Sequence, residues 1–225
     1  MSGGAPAGPR IAVLDYGIGN LRSAEKALQH VGAAARLVTD PGEVASADAV
    51  VLPGVGAFGA SARALGDSGL EQAARTAIAA GVPFLAVCIG FQLLYDGSDE
   101  SPGVAGLGVF PGQVALLAPS VKHPQMQWNQ LEVVGPAPVP APGPALDAAA
   151  GPAPLRGLGD KPWVYFVHSY APPVGAETVA VCDYGGPVAA LVAQGNLWGA
   201  QFHPEKSGRS GLALLANFVA LAAAA

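Results

Sequence analysis

Apolar runs and helix-length segments alternate through the first part of the chain. Ile11 to Leu14 is a short apolar run that predicts a buried strand, and a turn with a helix cap follows over residues 15–20. Gly32 then ends a segment in which apolar residues recur at helical spacing, at Leu21, Ala24, Leu28 and Val31. The pattern therefore predicts a strand, a loop and a helix at the start of the fold.

The same alternation continues downstream. Further strands are predicted at Arg36 to Val38, Ala49 to Leu52 and Pro83 to Val87. A tight loop at residues 53–56 and a helical region from about residue 60 to 80 separate the last two strands. Strands separated by helix-length segments imply right-handed crossovers, and therefore a mainly parallel sheet that helices cover on both faces.

After Gly97 the chain changes to short β-like segments, at Val104 to Phe110, Val114 to Leu117, Leu131 to Val134, Val164 to Val167, Thr178 to Cys182, Val188 to Val192 and Leu197 to Phe202. They predict an antiparallel or mixed region packed on the core sheet, and a helix from Arg209 to Ala220 closes the chain. Gly135 to Leu158 is crowded with Pro, Gly and Ala, which predicts an exposed, partly disordered loop.

Composition limits the functions that the chain can have. With 225 residues and 51% hydrophobic content, we expect a single α/β domain over residues 11–225, after a loose tail at 1–10 without a secretion signal. A net charge of −5 offers no basic stripe for nucleic acid, and Leu212 to Ala225 is too short to span a membrane. Two cysteines do not make the disulfide framework of a secreted domain, so a cytoplasmic protein is expected.

Cys88 lies between an apolar run and the turn-and-helix sequence Ile89 to Leu94. A buried strand that ends in a nucleophile and turns sharply into a helix is an elbow, which holds the side chain at the top of a sheet. Free N–H groups at a helix N-terminus favour the thiolate, the form that attacks carbonyls. Far downstream, His203 and Glu205 flank Pro204, which keeps the histidine extended. The sequence thus contains the components of a Cys-His-Glu nucleophilic site.

Less specific interpretations compete with this one. A lone buried cysteine is more often a small core residue, which is our interpretation of Cys182, whereas the elbow and the distal histidine favour a nucleophile at Cys88. His168 is either a structural hydrogen-bonder in the wall of the site or a minor contributor to it. No metal is predicted, because the His and Cys residues lack ligand spacing. Gly54 and Gly56 form no dinucleotide fingerprint, and no cofactor is expected.

Two motifs resemble those of the class I glutamine amidotransferases, whose catalytic triad is Cys-His-Glu: Val87 to Gln92 and His203 to Glu205. Three further segments resemble those of the glutaminase subunits of imidazole glycerol phosphate synthase: Asp15 to Ser23, Leu52 to Phe58 and Phe166 to Tyr170. The pair Lys206-Ser207, which follows the triad segment, adds to this resemblance. The matches run from about residue 11 to residue 219 and omit the Pro-rich loop. The resemblance implies an α/β, flavodoxin-like three-layer sandwich, with a mainly parallel central sheet and added antiparallel strands.

The resemblance implies glutaminase chemistry. Cys88 would attack the side-chain carboxamide of glutamine, His203 would transfer the proton, and Glu205 would orient the imidazole. The product would be a glutamyl thioester, which water then hydrolyses. By the same resemblance, the residues that hold the glutamine are Gln92, Ser169 and Tyr170.

The negatively charged intermediate of this reaction needs hydrogen-bond donors for its oxyanion. The amide of Ile89, which follows the nucleophile, is one candidate. The amide of Val55 or Gly56 is the other, in a loop where Gly54 and Gly56 permit conformations that a Cβ would forbid.

The resemblance also implies a partner, a cyclase subunit with a (β/α)8 barrel that takes up the ammonia in histidine biosynthesis. The chain and the cyclase would form a heterodimer. The residues at interface or gate positions would be Asn20, Trp128, Tyr165 and Lys206. The turn that contains Asn20 could equally be an ordinary strand-to-helix connection, and the two aromatic residues could be packed against their own loop.

Three departures from the family pattern leave alternatives open. Ala86 stands where a glycine usually precedes the cysteine by two positions, Phe91 replaces a common methionine, and Gln127 replaces a glycine beside the tryptophan. A paralogous glutaminase for another synthase, such as one for an amino sugar, is one alternative. A regulatory or scaffolding subunit with little activity is the other.

Overall fold

The computed structural model describes residues 8–19, 21–134 and 153–225. Most of the predicted N-terminal tail, Asn20 and most of the predicted Pro-rich loop therefore lie outside the described residues. Within the described ranges, no helix is both long and apolar enough to cross a membrane.

The described strands are β1 Arg10–Leu14, β2 Ala34–Val38, β3 Ala49–Gly54, β4 Phe84–Cys88, β5 Gly97–Ser98, β6 Gln113–Leu116, β7 Gln125–Gln130, β8 Glu132–Val133, β9 Trp163–His168, β10 Tyr170–Ala171, β11 Thr178–Asp183, β12 Pro187–Gln194 and β13 Leu197–Ala200. The α-helices are α1 Leu21–His30, α2 Pro41–Val44, α3 Phe58–Asp67, α4 Leu70–Ala79, α5 Ile89–Gln92 and α6 Gly208–Ala224. Short 3-10 helices lie at Ala153–Leu155 and Pro204–Lys206.

Eight strands form the central sheet, in the order β2-β1-β3-β4-β13-β12-β11-β8. The strands from β2 to β13 pair in parallel, and β12, β11 and β8 extend the sheet in antiparallel pairs. The predicted mainly parallel α/β sheet is therefore confirmed. Most of the later β segments join this sheet rather than pack on it, while two smaller sheets, β10-β6-β5 and β7-β9, lie apart.

Burial explains why the central strands are continuous apolar runs. Every residue of β3 and β4 is buried, and so are the last four residues of β1. Strands that helices cover on both faces bury both sets of side chains, so no polar alternation is expected. The longest described helix, α6, closes the fold with Leu214, Phe218 and other apolar residues in the core.

Several local predictions were wrong. The helical region at 60–80 is two helices, because Gly69 between them has a φ of +75°. Residues 104–110 form no strand, since the amides of residues 106–110 instead donate to carbonyls of residues 93–96. The polar strand β7 was missed, and part of the predicted exposed loop is packed: Leu155 is buried, and Asn217 donates to the Pro154 and Arg156 carbonyls.

The carboxyl ends of β3, β4 and β13 meet at one edge of the sheet. Gly54 is paired with Cys88 there, and Ala200 with Val87. In open α/β sheets this edge is the usual place for a binding site.

Gly90→Ala is expected to lower the free energy of unfolding by ~1–3 kcal/mol, because its Cβ would lie 2.0 Å from the Leu52 carbonyl oxygen. Gly66→Ala in α3 is the matched control, since its Cβ would have only Glu71 Oε2 nearby, at 3.4 Å. Chemical denaturation measures both variants. Equal stability of the two variants would contradict the packing argument.

Candidate active site

Cys88 joins β4 to α5 in a strained backbone conformation. Its φ is 55° and its ψ is −110°, and within the described ranges it is the single residue other than glycine with a positive φ. Such a conformation costs ~1–3 kcal/mol and persists only where the surrounding structure enforces it. Close packing enforces it here, because Gly90 lies so near the Leu52 carbonyl that no side chain fits between them.

The helix after Cys88 has only four residues, so a long helix dipole does not act on the sulfur. A side chain that the sequence analysis gave no role lies beside it instead: Gln201 Nε2 donates to Cys88 Sγ at 3.9 Å. Gln201 is fully buried, and its Oε1 accepts a hydrogen bond of 3.1 Å from Gln92 Nε2. A chain of amides therefore connects the nucleophile with Gln92.

His203 and Glu205 form a buried pair on the segment after β13. His203 is extended, with φ −99° and ψ 99°, and the 3-10 turn that starts at Pro204 brings Glu205 back to it. Nδ1 of His203 lies 2.9 Å from Glu205 Oε1. The histidine backbone is fixed as well, because its N–H donates to the Tyr165 carbonyl and its carbonyl accepts from Ser207 Oγ.

The surroundings of His203 favour its protonated, positively charged form. Burial by itself lowers the pKa of His203, but interactions with Cys88 and Glu205 outweigh burial and raise the pKa to about 10. The imidazole Nε2 has no hydrogen-bond partner among the described residues. The proton-bearing histidine is therefore held by Glu205 on one side and left available on the other.

A cavity of about 270 Å³ brings the candidate residues together. Cys88 and His203 both line it, although they stand far apart in the sequence. The three residues predicted to hold glutamine also line it, and so do the candidate oxyanion positions. The full lining is Val55, Gly56, Cys88, Ile89, Gln92, Glu100, Pro124, Val167, His168, Ser169, Tyr170 and His203.

Glu100 is a cavity residue that sequence reasoning missed. Its Oε2 accepts a hydrogen bond of 2.7 Å from the Phe58 amide at the start of α3. It stands in a loop with no motif of its own, so no sequence signal marked it. It is the only carboxylate among the residues that line the cavity.

His168 is a neutral member of the cavity wall. Its Nδ1 lies 2.9 Å from the Tyr170 carbonyl oxygen and donates to it, and its Nε2 has no partner among the described residues. Burial lowers the pKa of His168 to about 4, the Tyr170 carbonyl opposes this shift, and nearby His203 adds to it. Of the two interpretations given for His168 above, this geometry favours a structural hydrogen-bonder in the wall of the site.

The glycine loop at residues 53–56 packs directly on the elbow. A Cβ on Gly54 would lie 2.8 Å from the Gly90 nitrogen and 3.0 Å from Ile89 Cβ, and Gly56 has a φ of +88°. The Val50 N–H donates to the carbonyl of Pro83, the residue before β4, and residues 50 and 54 of β3 have the same orientation, so the ladder directs the carbonyl of Gly54 toward β4 as well. The Val55 amide, in the same peptide, therefore faces away from Cys88.

The other predicted residues lie on a neighbouring surface. Trp128 is 47% exposed, and its ring centroid is 6.1 Å from that of Tyr165, the residue opposite it on β9. Lys206 is exposed on the turn between His203 and α6. Cys182 does not join the site: it is fully buried in β11 and accepts from Gln125 Nε2 at 3.7 Å.

The glutamine amidotransferase class-I family model matches residues 12–222. Curated relatives described as imidazole glycerol phosphate synthase subunit HisH cover nearly the whole chain. The protein from Deinococcus radiodurans is 46% identical, with 94% of each chain aligned. That from Methanothermobacter thermautotrophicus is 44% identical over 93% of this chain and 97% of its own.

Solved structures show the same fold at low identity. A glutamine amidotransferase crystal structure superimposes with a TM-score of 0.69 and 23% identity, covering 94% of this chain and 98% of its own. The PurLQS structure from Thermotoga maritima gives a TM-score of 0.68 and 20% identity, over 95% and 99% of the two chains.

Glu205→Gln is expected to lower the pKa of His203, because a neutral amide stabilises the imidazolium less than a carboxylate does. The stability that protonated His203 confers is complete below pH 6.5 and is lost as the pH rises through about 10, the raised pKa. In the variant this loss should occur at lower pH. NMR titration of the His203 ring and unfolding at several pH values measure both effects.

Glu132→Gln is the control for this experiment. Its carboxylate lies in an exposed pair with Lys161, at 3.2 Å, and does not line the cavity. The pKa of His203 should not change in this variant. The same pKa in wild type and Glu205→Gln would contradict the assigned role of Glu205.

Proposed function

The chain belongs to the class I glutamine amidotransferase family, and on that premise we propose that it is the glutaminase subunit of an imidazole glycerol phosphate synthase. One observation carries the proposal: a single cavity holds the strained Cys88, the paired His203 and the buried amide of Gln92. The relatives described as synthase subunits, at 41–46% identity over most of the chain, support the same assignment. The reaction releases glutamate and ammonia from L-glutamine.

The first half of the reaction forms a thioester. Cys88 Sγ attacks the carboxamide carbon of glutamine, and a tetrahedral intermediate forms. As the C–N bond breaks, His203 gives its proton to the departing ammonia. Its raised pKa, about 10, keeps that proton available at neutral pH.

Water completes the reaction by attacking the thioester carbon. The C–S bond breaks, glutamate leaves, and the proton of the water returns the Cys88 and His203 pair to its starting state. Glu205 holds the imidazole orientation through both halves, by its 2.9 Å contact with Nδ1.

Glutamine recognition would use the remaining wall of the cavity. The buried Oε1 of Gln92 has no partner among the described residues and is free to accept a hydrogen bond. The carboxylate of Glu100 suits the α-ammonium group of an amino acid. Ser169 and Tyr170 line the same wall and complete the proposed set.

The oxyanion would be stabilised by the Ile89 amide and by an amide of the glycine loop. Gly56 lines the cavity, and neither Val55 nor Gly56 donates its N–H to a described residue. The Val55 amide faces away from Cys88, so its use requires the Gly54–Val55 peptide to turn. Glycine at position 54 makes that rotation accessible.

The ammonia must reach a second active site before it becomes ammonium, which does not attack electrophiles. We therefore propose that a cyclase subunit with a (β/α)8 barrel binds this chain as a heterodimer. The cytoplasmic location expected from the sequence stays a prediction.

An aromatic face on the β7-β9 ribbon is the proposed docking surface. Directly opposed residues of an antiparallel pair share one face, and here Trp128 is opposite Tyr165 and Gln130 is opposite Trp163. The exposed fractions are 62% for Met126, 47% for Trp128 and 53% for Trp163. Exposed aromatic residues clustered in this way are typical of protein interfaces. Lys206 and Asn20 remain proposed members of the interface.

Cys88→Ala is expected to lower glutamate release by ~1,000-fold or more, because the nucleophile is lost. Cys182→Ala, which removes a buried sulfur outside the cavity, is the matched control and should keep most of the activity. The assay measures glutamate from L-glutamine with the chain alone and with the cyclase subunit. Undiminished release by Cys88→Ala would overturn the assigned nucleophile.

Trp128→Ala is expected to weaken binding of the cyclase subunit by about 30-fold, the typical effect of removing a central aromatic anchor. Val174→Ala serves as the control, because Val174 is similarly exposed, at 48%, and lies outside β7 and β9. Titration calorimetry with the cyclase subunit measures both affinities. Equal affinities would remove Trp128 from the interface.

A further inference from the structure

Two buried hydroxyl groups hold the glycine loop from beneath. Tyr16, in the loop after β1, donates from Oη to the Pro53 carbonyl at 2.7 Å. Ser61, in α3, donates from Oγ to the Val55 carbonyl at 3.4 Å. Both side chains are buried, with exposed fractions of 5% for Tyr16 and 0% for Ser61.

These contacts lie on either side of one peptide. The Pro53–Gly54 peptide is held by Tyr16 and the Val55–Gly56 peptide by Ser61. Between them, the Gly54–Val55 peptide carries the amide that faces away from Cys88. A Cβ on Gly54 would lie 2.7 Å from Tyr16 Oη, so the tyrosine hydroxyl occupies the space that a side chain would need.

We propose that Tyr16 is a positioning residue for the oxyanion loop, and that its hydroxyl fixes Pro53 so that the Gly54–Val55 peptide stays beside the elbow, where turning it brings the Val55 amide toward Cys88. The inference rests on the proposed glutaminase function. Tyr16 does not line the cavity, and its hydroxyl donates to the Pro53 carbonyl, so it acts through the loop.

The tyrosine is suited to act as a permanent donor. Burial raises the pKa of Tyr16 well above its usual value, proximity to the Ser61 hydroxyl opposes this shift, and interaction with nearby Cys88 adds to it. The hydroxyl therefore keeps its proton at any physiological pH. Loss of the hydroxyl would leave the Pro53 carbonyl buried without this partner, and the loop would have to shift to find another.

Tyr16→Phe tests the proposal, because it keeps the ring and removes only the hydroxyl. In the complex with the cyclase subunit, kcat for glutamine hydrolysis should fall about tenfold while KM stays the same, since a displaced oxyanion donor weakens only the transition state. Iodoacetamide should alkylate Cys88 at the same rate in Tyr16→Phe as in the wild type, because alkylation forms no oxyanion. Mass spectrometry measures this rate. Hydrogen exchange at residues 54–57 should increase in the chain alone.

Tyr184→Phe is the matched control. Tyr184 Oη makes an equally short bond, 2.7 Å, to the Lys122 carbonyl, and neither residue lines the cavity. This variant should match the wild type in kcat, alkylation and loop exchange. Ser61→Ala gives a second test from the other side of the loop, and should reproduce the fall in kcat and the faster exchange.

An unchanged or raised kcat in Tyr16→Phe, slower alkylation of Cys88, or unchanged exchange at residues 54–57 would each overturn the proposal. Wild-type protein that hydrolyses no glutamine with its partner would instead refute the proposed function. In that case the exchange measurement alone decides the role of Tyr16. If Tyr16→Phe does not fold, the Ser61→Ala measurements decide it.

Discussion

The backbone of Cys88 is the constraint on which the rest of the site depends. A φ of 55° is unfavourable for a residue with a Cβ, and it is maintained by the packing of α5 on β3, where Gly90 meets the Leu52 carbonyl. The strain directs the sulfur out of the sheet, at the edge where β3 and β13 also end. A relaxed backbone would return the thiol to the apolar core, where it would be one more small buried side chain.

The distal half of the site depends on a different principle, which is local rigidity. Pro204 and the turn after it bring Glu205 to Nδ1 of His203, and Ser207 and Tyr165 hold the histidine backbone. The two halves meet only because β13 pairs with β4 in parallel. Parallel pairing of these strands thus brings Cys88 and His203, about a hundred residues apart in the sequence, to one cavity.

The elbow and the triad segment could be predicted from sequence because each is local: an apolar run, a nucleophile and a turn, or a histidine and a carboxylate around proline. Gln201 and Glu100 could not, because their roles follow from tertiary contacts with Cys88 and Phe58 that no spacing encodes. The parallel strands were predictable from their buried runs. The strand β7 was not, because its residues are mostly polar and its pairing with β9 gives it its structure.

The proposed docking face and the candidate active site share one strand, which couples them physically. Tyr165 on β9 contributes its ring to the aromatic face, its carbonyl to the His203 amide and its amide to Ser207 Oγ. Two residues further along the same strand, the Val167 carbonyl lies 4.0 Å from Cys88 Sγ. A subunit bound on the aromatic face would therefore contact the strand whose backbone is bonded to His203 and lies beside Cys88. Because the same strand contacts both sites, glutamine hydrolysis and partner binding should depend on each other.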